Sequence, residues 1–171
     1  GLCGDVFYCF SENARNILQS IYSLNKFYYS DYVLNKMLGI NKNDEEDEVT
    51  EQICFFTEPR DQYVNFEIIG ELIRTEIKFS IKLHPLEDQN TYTKRFPEID
   101  IVQELGRALS SLVCLSRKST VLVESSQRGK LAIAILLNNK DKFYVEHLFP
   151  SLSSEKIVKV TDWTELTQVL T

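Results

Sequence analysis

One stretch, Tyr63 to His84, constrains this chain more than any other, because its pattern implies a pairing register as well as an element type. Ile69-Gly70-Glu71-Leu72 reads as a two-residue hairpin turn, with glycine at the first central position, where a type II′ turn needs φ > 0. Given that turn, Val64, Phe66 and Ile68 share a face with Ile73, Ile77, Phe79, Ile81 and Leu83. Tyr63, Asn65 and Glu67 share the other with Arg74, Glu76, Lys78, Ser80, Lys82 and His84. A slip of one residue would carry the isoleucines into water, so the expected register is firm and sets Glu67 across from Arg74.

Gln52 to Thr57, closed by Glu58-Pro59-Arg60-Asp61, adds a third strand to that hairpin. A second meander is expected from Thr120–Ser125, Lys130–Leu137 and Lys142–Leu148, joined by two four-residue loops. Ala132 and Ala134 leave room for a helix to approach the middle strand closely. Its other face, with Leu131, Ile133, Ile135 and Leu137, is apolar too, so that strand is expected to be central and covered on both sides.

Helix signals bracket the strands. Ser11 caps a helix over 12–24, and Ser30 caps a second that Gly39 ends in the left-handed C′ position. Pro97 opens a long helix over 98–115 with Ile101, Val102, Leu105, Leu109, Leu112 and Val113 as its stripe. The segment between Pro85 and Phe96 has no period and reads as a loop. A short strand, Ile157–Val160, precedes a final helix launched by the capping box Asp162-Trp163-Thr164-Glu165. The expected fold class is α+β: an antiparallel sheet of about six strands, packed with an N-terminal helical pair, a long central helix and a C-terminal helix. This order of elements is similar to that of dimeric type III secretion chaperones, a resemblance that covers no motif and carries no residue across.

The 171 residues suit one domain, with a helical part at 11–40, an acidic connector at 41–50 and a body at 51–171. Asp44-Glu45-Glu46-Asp47-Glu48 reads as a solvated connector or a contact for a basic partner, and lacks calcium-loop spacing. No apolar run approaches the roughly 18 residues of a membrane span. Cys3, Cys9, Cys54 and Cys114 show no C-x-x-C spacing and read as free thiols in a reducing compartment, with a Cys3–Cys9 disulfide as the exception. An intracellular site is expected, cytoplasmic, or nuclear in a eukaryote. The net charge of −6 removes the bulk attraction on which nucleic-acid binding usually leans.

Chemistry is sparsely marked. His84 and His147 lack ligand spacing, and Cys54 and Cys114 lie on packing stripes. There is no G-x-S-x-G. Arg128-Gly129-Lys130 falls short of a phosphate loop, because Glu124 stands where the first glycine belongs. No catalytic residue, metal or cofactor is assigned. Two surface features stand out. Arg107, Arg117, Lys118, Arg128 and Lys130 form an expected basic zone, and Phe27, Tyr28, Tyr29 and Tyr32 an expected aromatic interface, since three successive rings cannot be buried on one helix face. The leading expectation is a non-enzymatic protein-interaction or regulatory domain, chaperone-like or a subunit of a complex, with a protein partner or a second copy. The alternatives are a hydrolase or nuclease pairing acids such as Glu124 with Lys130, and a nucleic-acid accessory domain using the basic zone.

Overall fold

The computed structural model describes residues 6–40 and 52–171. An N-terminal unit comprises β1 (Val6–Tyr8), α1 (Glu12–Ile21), β2 (Lys26–Tyr28) and α2 (Asp31–Met37). The body then runs β3 (Ile53–Phe56), α3 (Gln62–Arg74), β4 (Ser80–Lys82), α4 (Gln89–Arg95), β5 (Asp100–Ile101), α5 (Leu105–Leu109), β6 (Val113–Ser116), α6 (Val121–Gln127) and β7 (Leu131–Ile135). It closes with α7 (Asn139–Phe143), a π turn at Tyr144–Leu148, a 3₁₀ turn, β8 (Ile157–Val160) and α8 (Trp163–Leu170).

Every strand pairing among the described residues is parallel, which overturns the antiparallel expectation. The body's sheet has the order β5-β4-β3-β6-β7-β8, and β1 pairs only with β2. Counted from β3, that order is 3-2-1-4-5-6, the arrangement of doubly wound α/β folds. The class is therefore α/β rather than α+β. The likeness in element order to secretion chaperones ends with the antiparallel strands it assumed.

Tyr63–His84 is not a hairpin. Val64, Ile68, Ile69 and Leu72 recur at helical spacing and are buried on one side of α3, while Tyr63 and Ile73 face solvent. Gly70 lies mid-helix on an open surface, a cost of about 1 kcal/mol relative to alanine that the buried stripe outweighs. Arg74 pairs with Glu71 within the helix rather than with Glu67 across a ladder. The expected helix over 98–115 divides into β5, α5 and β6. Cys114, Leu115 and Ser116 of β6 are buried on both faces of the sheet, so they show no alternation and pass for one side of a helix. Thr120–Ser125 and Lys142–Leu148 are helical rather than extended, and the expected loop after Pro85 contains α4.

Locally coded elements match their expectations. Ser11 Oγ accepts the Ala14 N–H at 3.1 Å, Asp162 caps α8, Gly39 has φ +68°, and β3, β7 and β8 lie where expected. β7 is an interior strand, and Ala132 and Ala134 admit the residues of α6, Leu122 and Val123, instead of a helix from 98–115. Two apolar layers result. Phe55, Leu115, Ile133 and Val160 pack on α3 and α8, while Cys54, Phe56 and Cys114 pack on α5. Among the described residues no helix is long and apolar enough to cross a membrane. Cys9, Cys54 and Cys114 are buried, while Cys3 and the run Asp44–Glu48 lie outside the described residues.

Candidate functional site

From β3 the chain moves outward through β4 and β5, returns across the sheet to β6, and then moves outward the other way through β7 and β8. Loops that leave β3 and β6 toward opposite sides open a crevice at the carboxyl ends of those strands, where open parallel sheets take their ligands. A cleft of about 270 Å³ lies there. Phe56 and Thr57 end β3, Lys82 to Pro85 end β4, Leu105 comes from α5, and Ser119, Thr120, Val121 and Glu124 follow β6.

The turn after β3 is closed by the protein's own groups. Thr57 Oγ1 and the Tyr92 hydroxyl both donate to Glu87, which also accepts Asn65 Nδ2 at 3.1 Å and the His84 backbone N–H at 3.2 Å. Burial, and then the hydrogen bond to Glu87, push the Tyr92 hydroxyl well above its ordinary range, so it stays a donor. Asn65 Oδ1 in turn accepts from Arg117 Nη1 at 3.4 Å, and Nη1 also reaches the Arg60 carbonyl at 2.8 Å. Arg117 grips Asp141 with two parallel bonds, Nε to Oδ2 at 2.6 Å and Nη2 to Oδ1 at 3.0 Å, and both side chains are fully buried. Lys118 Nζ adds a third contact to Asp141 at 2.5 Å. Burial works to raise the Asp141 carboxyl, but the bonds from Arg117 and Lys118 prevail and hold it below the usual range. One polar chain thus ties the loops after β3, β4, β6 and β7 together.

The side of the crevice after β6 is lined differently. Ser119 and Thr120 bring hydroxyls to its wall, and Glu124, one turn along α6, brings an acceptor that also holds Arg128 at 3.0 Å. His84 Nδ1 accepts the Leu86 N–H at 3.2 Å, so the neutral ring carries its proton on Nε2, as a donor. Lys82 supplies a cation. Leu83, Pro85, Leu105, Val121 and Phe56 make the remaining wall apolar. A larger hollow, about 420 Å³ and bounded by Ile73, Ile77, Phe79, Phe96 and Pro97, opens beside the segments leading into β4 and β5. That is the amino-terminal edge of the sheet, away from the loops that carry ligand groups in such folds.

The basic zone expected from the sequence is not one surface. Arg117 is buried and Lys118 nearly so, both committed to Asp141, while Arg107 lies on α5, Arg128 pairs with Glu124 and Lys130 precedes β7. The aromatic group divides as well. Phe27 is buried and stacks on Phe7 at 5.4 Å, and the Tyr29 hydroxyl donates to Asp31. Burial, and then that bond, push Tyr29 up to about 12. Tyr28 and Tyr32 are exposed, at 47% and 66%. Glu124 and Lys130 do not meet in a ligand cluster, and among the described residues no three His, Cys, Asp or Glu side chains stand close enough to hold a metal ion. Sequence reasoning missed Lys82, Ser119 and Thr120. The signal was a polar stretch, Ser116 to Thr120, directly after the apolar run Leu112-Val113-Cys114-Leu115.

No family model matches the chain, and no curated protein matches it. A solved structure of a provisionally assigned oxidoreductase from Erwinia carotovora atroseptica is similar over 65% of this chain and 35% of its own, at 8% identity and a TM-score of 0.43. The match thus spans about a third of that protein's length, and so weak a likeness carries no functional argument.

Proposed function

We propose that this chain binds a nucleoside phosphate in the crevice at the carboxyl ends of β3, β4 and β6, as the ligand domain of an enzyme acting on a nucleotide-linked substrate. The observation that carries the reading is the convergence there of a cation (Lys82), an imidazole (His84) and two hydroxyls (Ser119 and Thr120). Those groups suit phosphate oxygens, Glu124 suits a ribose diol, and Leu83, Pro85, Leu105 and Val121 suit the faces of a base. A volume of about 270 Å³ sits at the small end of ligand pockets, which favours a mononucleotide unit over a dinucleotide.

The turn after β3 supports the same choice. Thr57-Glu58-Pro59-Arg60-Asp61 contains no glycine, so the close backbone approach that a dinucleotide pyrophosphate requires is not available. The chain also lacks a phosphate loop, which argues against phosphoryl transfer from a triphosphate. The role left for a nucleotide in this cleft is that of a carrier whose phosphate end departs with the reaction.

Isothermal titration of the chain with the mono- and diphosphates of the four common nucleosides tests the reading. Binding in the micromolar to millimolar range is expected, weakened about tenfold or more by Lys82→Ala or His84→Ala. Absence of binding by every nucleotide would overturn it.

A protein contact through the N-terminal unit is a second, compatible proposal. It is supported by the exposed apolar side chains gathered there, among them Tyr8, Tyr28, Tyr32, Ile21 and Leu24, the last 96% exposed. Light scattering on the wild type and Tyr28→Asp tests it, and a monomer at all concentrations that also captures no partner would remove it.

A further inference from the structure

Gly70 has no explanation within a single copy of the chain. It lies inside α3 with open space where a side chain would stand, so a larger residue would fit there and would favour the helix. Around it Tyr63, Phe66, Glu67, Glu71 and Arg74 recur at helical spacing, and with Arg95 and Phe96 they bound a hollow of about 380 Å³. Arg95 and Phe96 also belong to the larger hollow bounded by Ile73, Ile77 and Phe79, which continues the surface past the carboxyl end of α3. Tyr63, Glu67, Ile73 and Arg74 are exposed.

Read in reverse, this stripe complements itself. At about 1.5 Å per residue, Glu67 stands roughly 4.5 Å before Gly70 along the axis and Arg74 roughly 6 Å after it. A turn of about 100° per residue sets both on one flank of the glycine, and sets Phe66 and Ile73 at matching heights on the other flank. A second α3 crossing antiparallel at Gly70 therefore meets each Glu67 with its own Arg74, and each Phe66 with its own Ile73. Tyr63, about 10 Å from the crossing, reaches past the end of the facing helix to the hollow at Ile77. Arg74 already pairs with Glu71 of its own helix, but its side chain is 71% exposed and the guanidinium has donors left for a second carboxylate. The bare glycine lets the two axes come close, since the side chains at a crossing set the distance between helices.

We infer that α3 is a self-association surface, on which two copies of this chain pair about a two-fold axis at Gly70. The order of charges selects a second copy as the occupant, because an isologous interface needs each group to find its complement at the mirrored position, and Glu67 and Arg74 do. The crevice is lined by other elements, so this pairing is independent of the nucleotide reading.

Sedimentation equilibrium of the intact chain across the micromolar range tests it, with thermal unfolding recorded for each variant. A reversible dimer is expected for the wild type, since one helix and one hollow from each copy make a small interface. Gly70→Leu should weaken the dimer about tenfold or more while melting no lower than the wild type. Glu67→Arg and Arg74→Glu should each weaken it about tenfold, and the two combined in one chain should return it to within about threefold of the wild type, because the reversed charges again face their complements. A wild type that stays monomeric throughout, or a dimer that Gly70→Leu leaves intact, would overturn the inference. So would a double variant no tighter than the single ones, or a dimer dissolved by Tyr28→Asp and untouched by the α3 variants, which would assign the contact to the N-terminal unit.

Discussion

The two turns that flank the switch point solve opposite problems. After β3, the loop Thr57–Asp61 is drawn inward: Glu87 gathers Thr57, Tyr92, Asn65 and the His84 backbone, and Arg117 crosses from β6 to hold the Arg60 carbonyl. After β6, the chain commits Arg117 and Lys118 to the interior and then turns Ser119 and Thr120 to the cleft. In doubly wound folds the first of these turns commonly receives the phosphates. Here it is filled by protein, and the groups able to meet a ligand come from β4 and from the turn after β6. The difference teaches that the same topology can move its binding groups across the switch point, provided one turn is locked so that the other has a fixed wall to face.

That contrast can be broken most forcefully at the lock. Arg117→Met removes two of the bonds that hold buried Asp141, and urea unfolding should show a loss of about 3–5 kcal/mol. Adding Asp141→Leu should restore a large part of it, and a double variant no better than the single would show that the pair does not act as a unit. The same ion pair sets an acid limit. Because the Asp141 carboxyl is held below its unfolded value of 3.8, its contribution is complete above that pH and is lost as pH falls through the still lower folded value. Wild-type stability should therefore drop steeply below about pH 4, and the Arg117→Met/Asp141→Leu variant should lose less over the same interval. Glu87→Ala removes the acceptor shared by Thr57 and Tyr92, and should cost about 1–3 kcal/mol by denaturant titration.

The open turn should respond in the reverse sense. Ser119→Ala with Thr120→Ala should change stability by about 0.5 kcal/mol or less, yet weaken nucleotide binding about tenfold. An equal loss of stability at both turns would erase the distinction between a locked side and an open one.

What the sequence disclosed depended on range. Ser11, Gly39 and Asp162 announce helix ends through bonds to residues three or four positions away, and those ends stand where they were read. Between Val64 and Leu72 two periods compete: Val64, Phe66 and Ile68 satisfy alternation, while Val64, Ile68, Ile69 and Leu72 satisfy a helix. Gly70 tips the reading toward a turn, although glycine's cost in a helix is small beside a buried stripe. β6 was hidden for another reason, since a strand covered on both faces carries no alternation to find.

The cleft was less legible still. His84 and Glu124 were visible as residues, but their common wall exists only because β3 lies between β4 and β6 in a parallel sheet. That neighbourhood belongs to the strand order, which no local pattern encodes. Arg117 shows the converse. Its charge suggested a surface, whereas the fully buried partner that draws it inward, Asp141, follows a different strand.

The most direct test is an amide chemical-shift titration of the isotope-labelled chain with a nucleoside diphosphate. The account predicts that the largest displacements fall on Thr57, Leu83, His84, Ser119, Thr120, Val121 and Glu124, saturating with a single affinity. Displacements centred instead on Ile77, Phe79 and Phe96 at the opposite edge of the sheet, or none at saturating ligand, would contradict it.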